Sequence, residues 1–197
     1  MSLNIAILAS GSGTNAENII RYFDKNKLIN VALVLSNKKD AFVLPRAENL
    51  GIPTFVFSKN ELNESDCVLT VLKEYKIDFI ILAGFLLRIP EIITNAFPDK
   101  IINIHPSLLP KYGGKGMYGE KVHEAVVASG EKESGITIHY VNEKYDEGNI
   151  IFQASCKILP SDTADKVAAK VHELEYKYFP TVIEDVLYQK ISYLNQK

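Results

Sequence analysis

Three groups of residues in this chain have the types and spacing to do chemistry. The first is Ser10-Gly11-Ser12-Gly13-Thr14-Asn15-Ala16, which follows an apolar run and opens a helical pattern. Glycines let the backbone turn tightly and approach a ligand, and the free N–H groups of a helix start favour an anion. Gly11, Gly13 and Ala16 satisfy the G-x-G-x-x-G/A dinucleotide fingerprint. Its partner acid is missing, because the next apolar run ends in Ser36-Asn37, so the pattern points to a monophosphate ahead of a dinucleotide. A plain tight turn is the alternative.

The second group is Asn103-Ile104-His105-Pro106-Ser107. Residues two apart on a strand share a face, so Asn103 and His105 present an amide and an imidazole side by side. An amide N–H can stabilise a developing oxyanion, and an imidazole can move a proton near neutral pH. Pro106 stops the strand there and frees the pair to face a cleft. The third group is Asp146 in Asp146-Glu147-Gly148. Near His105 it would hold the ring's tautomer and position a water for proton relay; otherwise it is an Asp stabilising its own turn. Spacing alone does not bring Asp146 to His105.

The remaining candidates weigh less. His123 and His172 lie in helical patterns and read as solvated or structural, while His139 sits in a strand, as a core histidine or a cleft residue. Lys111 and Lys115 could meet an anion or stay solvated. No H-E-x-x-H or dense ligand cluster is present, so no metal is expected, and no G-x-S-x-G elbow supports a nucleophilic hydrolase.

Short apolar runs alternating with helical patterns must position these groups. Ile5–Ala9, Val31–Leu35, Thr54–Phe57, Phe79–Ala83 and Ile101–His105 read as strands. Thr14–Phe23, Ala41–Leu50 and Ser65–Tyr75 read as the helices between the first four. Continuous apolar runs mean strands covered on both faces, and the alternation predicts an α/β fold with an open, mostly parallel Rossmann-like sheet. After a Pro/Gly-rich loop, Lys121–Ala128 reads as a helix, then Gly135–Val141 and Asn149–Cys156 as a mixed or antiparallel C-terminal pair. Asp162–Leu187 is a helical pattern with a kink or break expected at Pro180.

The chain has 197 residues, one domain by size: an N-terminal phosphate-binding half over 1–100 and a catalytic half over 101–190. Lys and Arg number 22 against 24 Asp and Glu, a net charge of −2, which argues against broad nucleic-acid binding. Cys67 and Cys156 form no C-x-x-C pair, which suits a reducing cytoplasm. No apolar run is long enough for a membrane span, so no membrane partner is expected.

In this order the pieces resemble the folate-dependent formyltransferases, most closely the branch acting on glycinamide ribonucleotide in purine synthesis. The resemblance rests on Ala9 to Asn15, on Leu82-Ala83-Gly84-Phe85, and above all on Asn103-Ile104-His105-Pro106-Ser107-Leu108-Leu109-Pro110-Lys111-Tyr112. It continues with His139-Tyr140-Val141, Asp146-Glu147-Gly148 and Glu175 before Phe179-Pro180. It covers essentially the whole chain.

The family implies formyl transfer from 10-formyltetrahydrofolate, as co-substrate, to the glycinamide amine, with no metal. By position, Asn103 and His105 would stabilise a tetrahedral intermediate, with His105 the proton donor and Asp146 assisting proton transfer. Gly11, Ser12, Gly13, Thr14 and Asn15, with Ala16 and Glu17, would hold the ribonucleotide phosphate, and Glu175 the ribose or glycinamide portion. Leu86, Leu87, Arg88 and Ile89 would line the folate pocket through backbone groups, with Asn103, His139 and Asp146 bordering it. The partners implied are these small molecules, and a homodimer is left open.

The chain departs from the family at several places. Leu87 stands where the family often has arginine, which here is Arg88. Ser58 to Asp66 holds no arginine, leaving Lys59 as the candidate folate-side cation. The loop Gly113 to Gly119 is glycine-rich and is expected to move over the cleft. Formyltetrahydrofolate deformylase and other small-molecule formyltransferases share the catalytic trio, and a non-catalytic nucleotide-binding module is the rival from another class. The phosphate loop favours a phosphorylated acceptor. The chain's length favours an enzyme without the added RNA-binding or regulatory domains of other family branches.

Overall fold

A seven-stranded sheet carries the chain from its first strand to its last. The computed structural model describes residues 2–143 and 146–194; Met1, Lys144, Tyr145 and residues 195–197 lie outside the described residues. The first half runs β1 (Leu3–Leu8), α1 (Thr14–Phe23), β2 (Ile29–Ser36), α2 (Val43–Asn49), β3 (Thr54–Val56), α3 (Lys59–Glu64), α4 (Cys67–Glu74) and β4 (Phe79–Leu82). Then come α5 (Glu91–Ala96), β5 (Ile101–His105), α6 (Glu120–Ala128), β6 (Glu133–Tyr140), β7 (Ile150–Lys157) and α7 (Ala164–Leu194).

The strand order is β3-β2-β1-β4-β5-β6-β7. Pairings from β3 through β5 are parallel, while β5–β6 and β6–β7 are antiparallel. This is the mostly parallel sheet with antiparallel C-terminal strands that the sequence predicts. The chain steps outward from β1 in one direction, then returns to β4 and steps the other way. That reversal leaves a crevice at the carboxyl ends of β1 and β4, the ordinary ligand site of such sheets.

The pleat divides the core in two. Leu3, Ile5 and Ile7 of β1 pack with α1, α2, α6 and α7. Ala6 and Leu8 of the same strand pack on the opposite face with α3, α4 and α5. Both faces are covered, which is why the strands read as unbroken apolar runs.

Two helices depart from the sequence reading. α3 is short and buries Leu62 alone, so its apolar periodicity is faint. Its start is marked by a capping box, in which Ser58 accepts from the Glu61 N–H and Glu61 accepts from the Ser58 N–H. α5 begins behind Pro90 and buries Ile93 and Thr94. Of the kink or break expected at Pro180, the break does not occur, and α7 runs through it. Proline lacks the N–H that would bond the carbonyl four residues back, that of Tyr176. The Asn18 side chain of α1 donates to this carbonyl at 2.9 Å, so the vacancy docks α1 on α7.

Candidate active site

A cleft of about 820 Å³ opens at the crevice, lined by Gly11–Asn15 after β1, Leu82–Ile89 after β4 and Asn103–Pro106 at the end of β5. The volume suits one or two small molecules. Ser10 ties the rim together: its hydroxyl donates to Asn37 Oδ1 at 2.6 Å and accepts from the Leu86 N–H at 3.0 Å. One buried hydroxyl thus joins the loops following β1, β2 and β4.

The glycine loop is set by local geometry. Gly13 adopts the left-handed conformation, with φ of 74°, at the start of α1. A Cβ there would lie 2.5 Å from Val43 Cβ, so glycine satisfies both the turn and the close approach of α2. The first-turn N–H groups of Thr14, Asn15 and Ala16 have no carbonyl four residues back to bond. Gly11 through Asn15 face the cleft. Ala16 does not; it is buried against the core. Glu17 does not either: its N–H bonds the Gly13 carbonyl, and its carboxylate pairs with Arg21 and Arg46. These two guanidiniums hold the Glu17 carboxyl below the usual carboxylate range. Arg46 also donates to the Ser12 carbonyl at 2.9 Å, so Glu17 shapes the loop through Arg46.

Asn103 and His105 lie on one face of β5, as their spacing predicts. Asn103 is opposite His139 of β6, and Asn103 Nδ2 donates to His139 Nε2 at 3.1 Å. His139 Nδ1–H donates to the Tyr140 carbonyl at 2.8 Å, which fixes the tautomer that leaves Nε2 as acceptor. Burial pushes the His139 pKa below its usual value, keeping the ring neutral. His105 is 4% exposed, and its Nε2–H donates to the Tyr112 carbonyl at 2.7 Å. A proton on Nδ1 would therefore make the ring cationic.

Asp146 completes the group. It sits at φ 54° in the turn between β6 and β7. One oxygen lies 3.7 Å from His105 Nδ1 and the other 3.7 Å from His139 Nε2. The first oxygen also accepts the Gly114 N–H at 2.8 Å, joining the turn to the glycine-rich loop. Gly114 through Gly119 line the cleft, Lys115 among them, whereas Lys111 is tied to Glu131 at 2.9 Å. Leu86, Leu87, Arg88 and Ile89 all line it; Arg88 also donates to the Glu143 carbonyl. The Leu86 N–H is already taken by Ser10.

The last helix closes the opposite wall. Glu175 is 5% exposed and accepts from Asn15 Nδ2 and His172 Nδ1, each at 2.8 Å. The hydrogen bond to Glu175 lifts the His172 pKa above its usual value. His172, half exposed, and His123, buried on α6, also line the cleft, a position the sequence reading of both as solvated or structural did not include. Val122, His123 and Val126 form the buried side of α6, a signal that His123 faces inward. Among the described residues no group of three or more His, Cys, Asp or Glu side chains is arranged to hold a metal ion.

Comparison with known proteins gives this geometry a family. Residues 3–183 match the formyl transferase family. A chloroplastic phosphoribosylglycinamide formyltransferase of Arabidopsis thaliana is 40% identical over 195 residues, 96% of this chain and 67% of that protein. The enzyme of the same name from Haemophilus influenzae is 40% identical over 185 residues, 91% of this chain and 85% of the relative. The crystal structure of phosphoribosylglycinamide formyltransferase from Anaplasma phagocytophilum superposes with a TM-score of 0.87 at 35% identity. That match covers 96% of this chain and 89% of the other. The chain belongs to the formyl transferase family, on the branch of the phosphoribosylglycinamide formyltransferases.

Proposed function

We propose that this chain transfers the formyl group of 10-formyltetrahydrofolate to the amine of glycinamide ribonucleotide in purine biosynthesis. The observation that carries the reading is the convergence of Asn103, His105 and Asp146, from β5 and a distant turn, in the same cleft as the glycine loop. An anion site and a polar reacting centre in one cleft fit a phosphorylated acceptor meeting an acyl donor.

Gly11, Ser12, Gly13, Thr14 and Asn15 bind the phosphate through backbone N–H groups at the start of α1. Glu175 holds the ribose or glycinamide portion. Leu86, Leu87, Arg88 and Ile89 line the folate side, with Asn103, His139 and Asp146 at its inner edge. The amine attacks the formyl carbon, and negative charge develops on the formyl oxygen. Asn103 offers one amide hydrogen to that oxygen while the other is held by His139. One such donor contributes roughly 10²–10³ in rate. His105, when protonated, stabilises the same charge and returns a proton to the leaving nitrogen. Asp146 is placed to balance the charged ring. Catalysis in this reading is positioning and electrostatic stabilisation, with no metal step.

The chain acts as one domain, its partners are two small molecules, and a homodimer is compatible with this chemistry. We place it in the cytoplasm, a reducing compartment that suits two free cysteines. Among the described residues no helix is long and apolar enough to cross a membrane. The test is an absorbance assay of 10-formyltetrahydrofolate consumption with and without glycinamide ribonucleotide. Consumption that requires the nucleotide and yields formylated product is expected. Consumption without it assigns a deformylase, and none in either condition overturns the reading.

A further inference from the structure

The wall formed by α6 and α7 contains polar atoms that the chemistry above does not use. Asn15 Oδ1 and His123 Nδ1 are buried without a hydrogen-bond partner among the described residues. Buried polar atoms are nearly always paired, so two unpaired ones lining a single cleft mark where a ligand's polar group would bind. Asn15 Nδ2 is already committed to Glu175, which holds the amide so that Oδ1 is the atom left over. The Glu175 oxygen beside it already accepts two hydrogen bonds, from Asn15 and His172. An amide oxygen, a carboxylate and an imidazole thus line one wall of the cleft, and the ligand group such acceptors suit is a multiple donor such as an ammonium.

An amine acceptor reaches the enzyme largely as its ammonium at neutral pH and has no lone pair to attack with. One proton must leave first. His172 has its Nδ1–H committed to Glu175, and His105 has its Nε2–H committed to the Tyr112 carbonyl. We propose that His123 takes the proton from the acceptor's ammonium group and so generates the attacking amine.

This proposal rests on the reading that the acceptor is a primary amine. The N–H bond of the ammonium breaks, its electron pair stays on nitrogen, and the proton forms an N–H bond on the imidazole. His123 becomes cationic and later loses the proton to solvent through the cleft. The titratable groups that act on it across the cleft are His172 and Glu175 on α7 and His105 on β5. Burial, the largest influence, and the neighbouring His172 hold the free ring neutral, and Glu175 partly offsets them. A neutral imidazole is the form that can accept.

The test uses H123N and H123Q, which keep a polar group but cannot take a proton. Binding of 10-formyltetrahydrofolate reports that the fold is intact. We expect kcat with glycinamide ribonucleotide to fall about 10²–10⁴-fold at pH 7, the usual range for a lost general base, with acceptor KM little changed. The deficit should shrink as pH approaches 9, where water itself deprotonates the amine. A variant with wild-type kcat and pH profile, or a deficit constant across pH, overturns the role of His123. A wild-type chain inert towards glycinamide ribonucleotide overturns the acceptor reading itself, and this proposal with it.

Discussion

Gly148 lies two residues beyond Asp146, where β7 is about to begin, and replacing it with alanine tests how finely the turn is placed. A Cβ at this position would lie 1.7 Å from the Tyr140 carbonyl oxygen and 2.7 Å from its carbon. Both are backbone atoms of β6, so no side chain can rotate away. Restoring ordinary contact at 3.4 Å moves the turn by about 1.7 Å. The Tyr140 N–H bond to the Asn149 carbonyl, 3.0 Å long, bridges this point and would break. Losing that bond costs about 1 kcal/mol, and residual strain brings the total to roughly 2–3 kcal/mol. For a chain of this size that is a drop in Tm of about 5–10 °C. The effect on rate should be larger, because a 1 Å misplacement of a catalytic group costs on the order of 10²-fold. Gly51→Ala is the control. Gly51 has φ of 75° and no heavy atom within 4 Å of the place a methyl would take, so the change costs about 1–2 kcal/mol of backbone strain and spares the rate. Thermal melts and steady-state kcat/KM for formyl transfer decide the matter. A G148A protein with wild-type kcat/KM, or a G51A protein that loses as much as G148A, would refute the reasoning.

Asp146→Asn keeps an oxygen for the Gly114 N–H but removes the charge 3.7 Å from both imidazoles; kcat should fall about 10²–10⁴-fold with KM nearly constant, by steady-state kinetics. Gly13→Ala combines a φ of 74° with a Cβ 2.6 Å from Val43 Cα, so about 2–4 kcal/mol of stability and a tighter-binding phosphate loop should be lost together. That change is read as a lower urea midpoint and a raised KM for the nucleotide. Burial lowers the pKa of both His123 and His139 from 6.5, so the unfolded chain takes up protons first as pH falls. Stability is full above about pH 6.5 and declines below it, with the raised His172 opposing as one ring against two; urea midpoints at pH 7.5 and 5.5 measure the net fall. The hydrogen bond to Glu184 pushes Tyr22 up to about 12, a contribution complete below pH 10 and lost as pH rises towards 12. Since the ring is 42% exposed, solvent screening limits this to less than ~1 kcal/mol, and Tyr22→Phe should flatten the alkaline edge of the stability curve.

The strands and the first helix were legible because their apolar residues are continuous or fall on one stripe. Ile101–His105 and Thr14–Phe23 have the bounds the pattern predicts. α3 and α5 bury too few residues to show a period, although Ser58 and Glu61 spell a capping box. At Pro180, where a kink or break is expected, the helix continues, and a neighbouring side chain satisfies the carbonyl that proline abandons. Within the site, Asn103 and His105 were legible from strand parity. The approach of Asp146 was not, since it depends on two antiparallel pairings and a turn in left-handed conformation. The Tyr112 carbonyl that sets the His105 tautomer is backbone and leaves no trace in side-chain identity. The sequence could not place His123, because a histidine on a helical stripe looks the same whether it packs or faces a cleft.

The contact between Asn18 and the Tyr176 carbonyl spans 158 residues of chain. A contact of such separation must close a long loop before it returns any energy. The same final helix brings His172 and Glu175 to Asn15. On the ribosome, the glycine loop and the first strands emerge long before their counterpart on α7. A nascent chain therefore holds the glycine loop without the wall that faces it, and the cleft becomes whole only when the last helix docks. The proline in that helix leaves the socket into which the first helix fits.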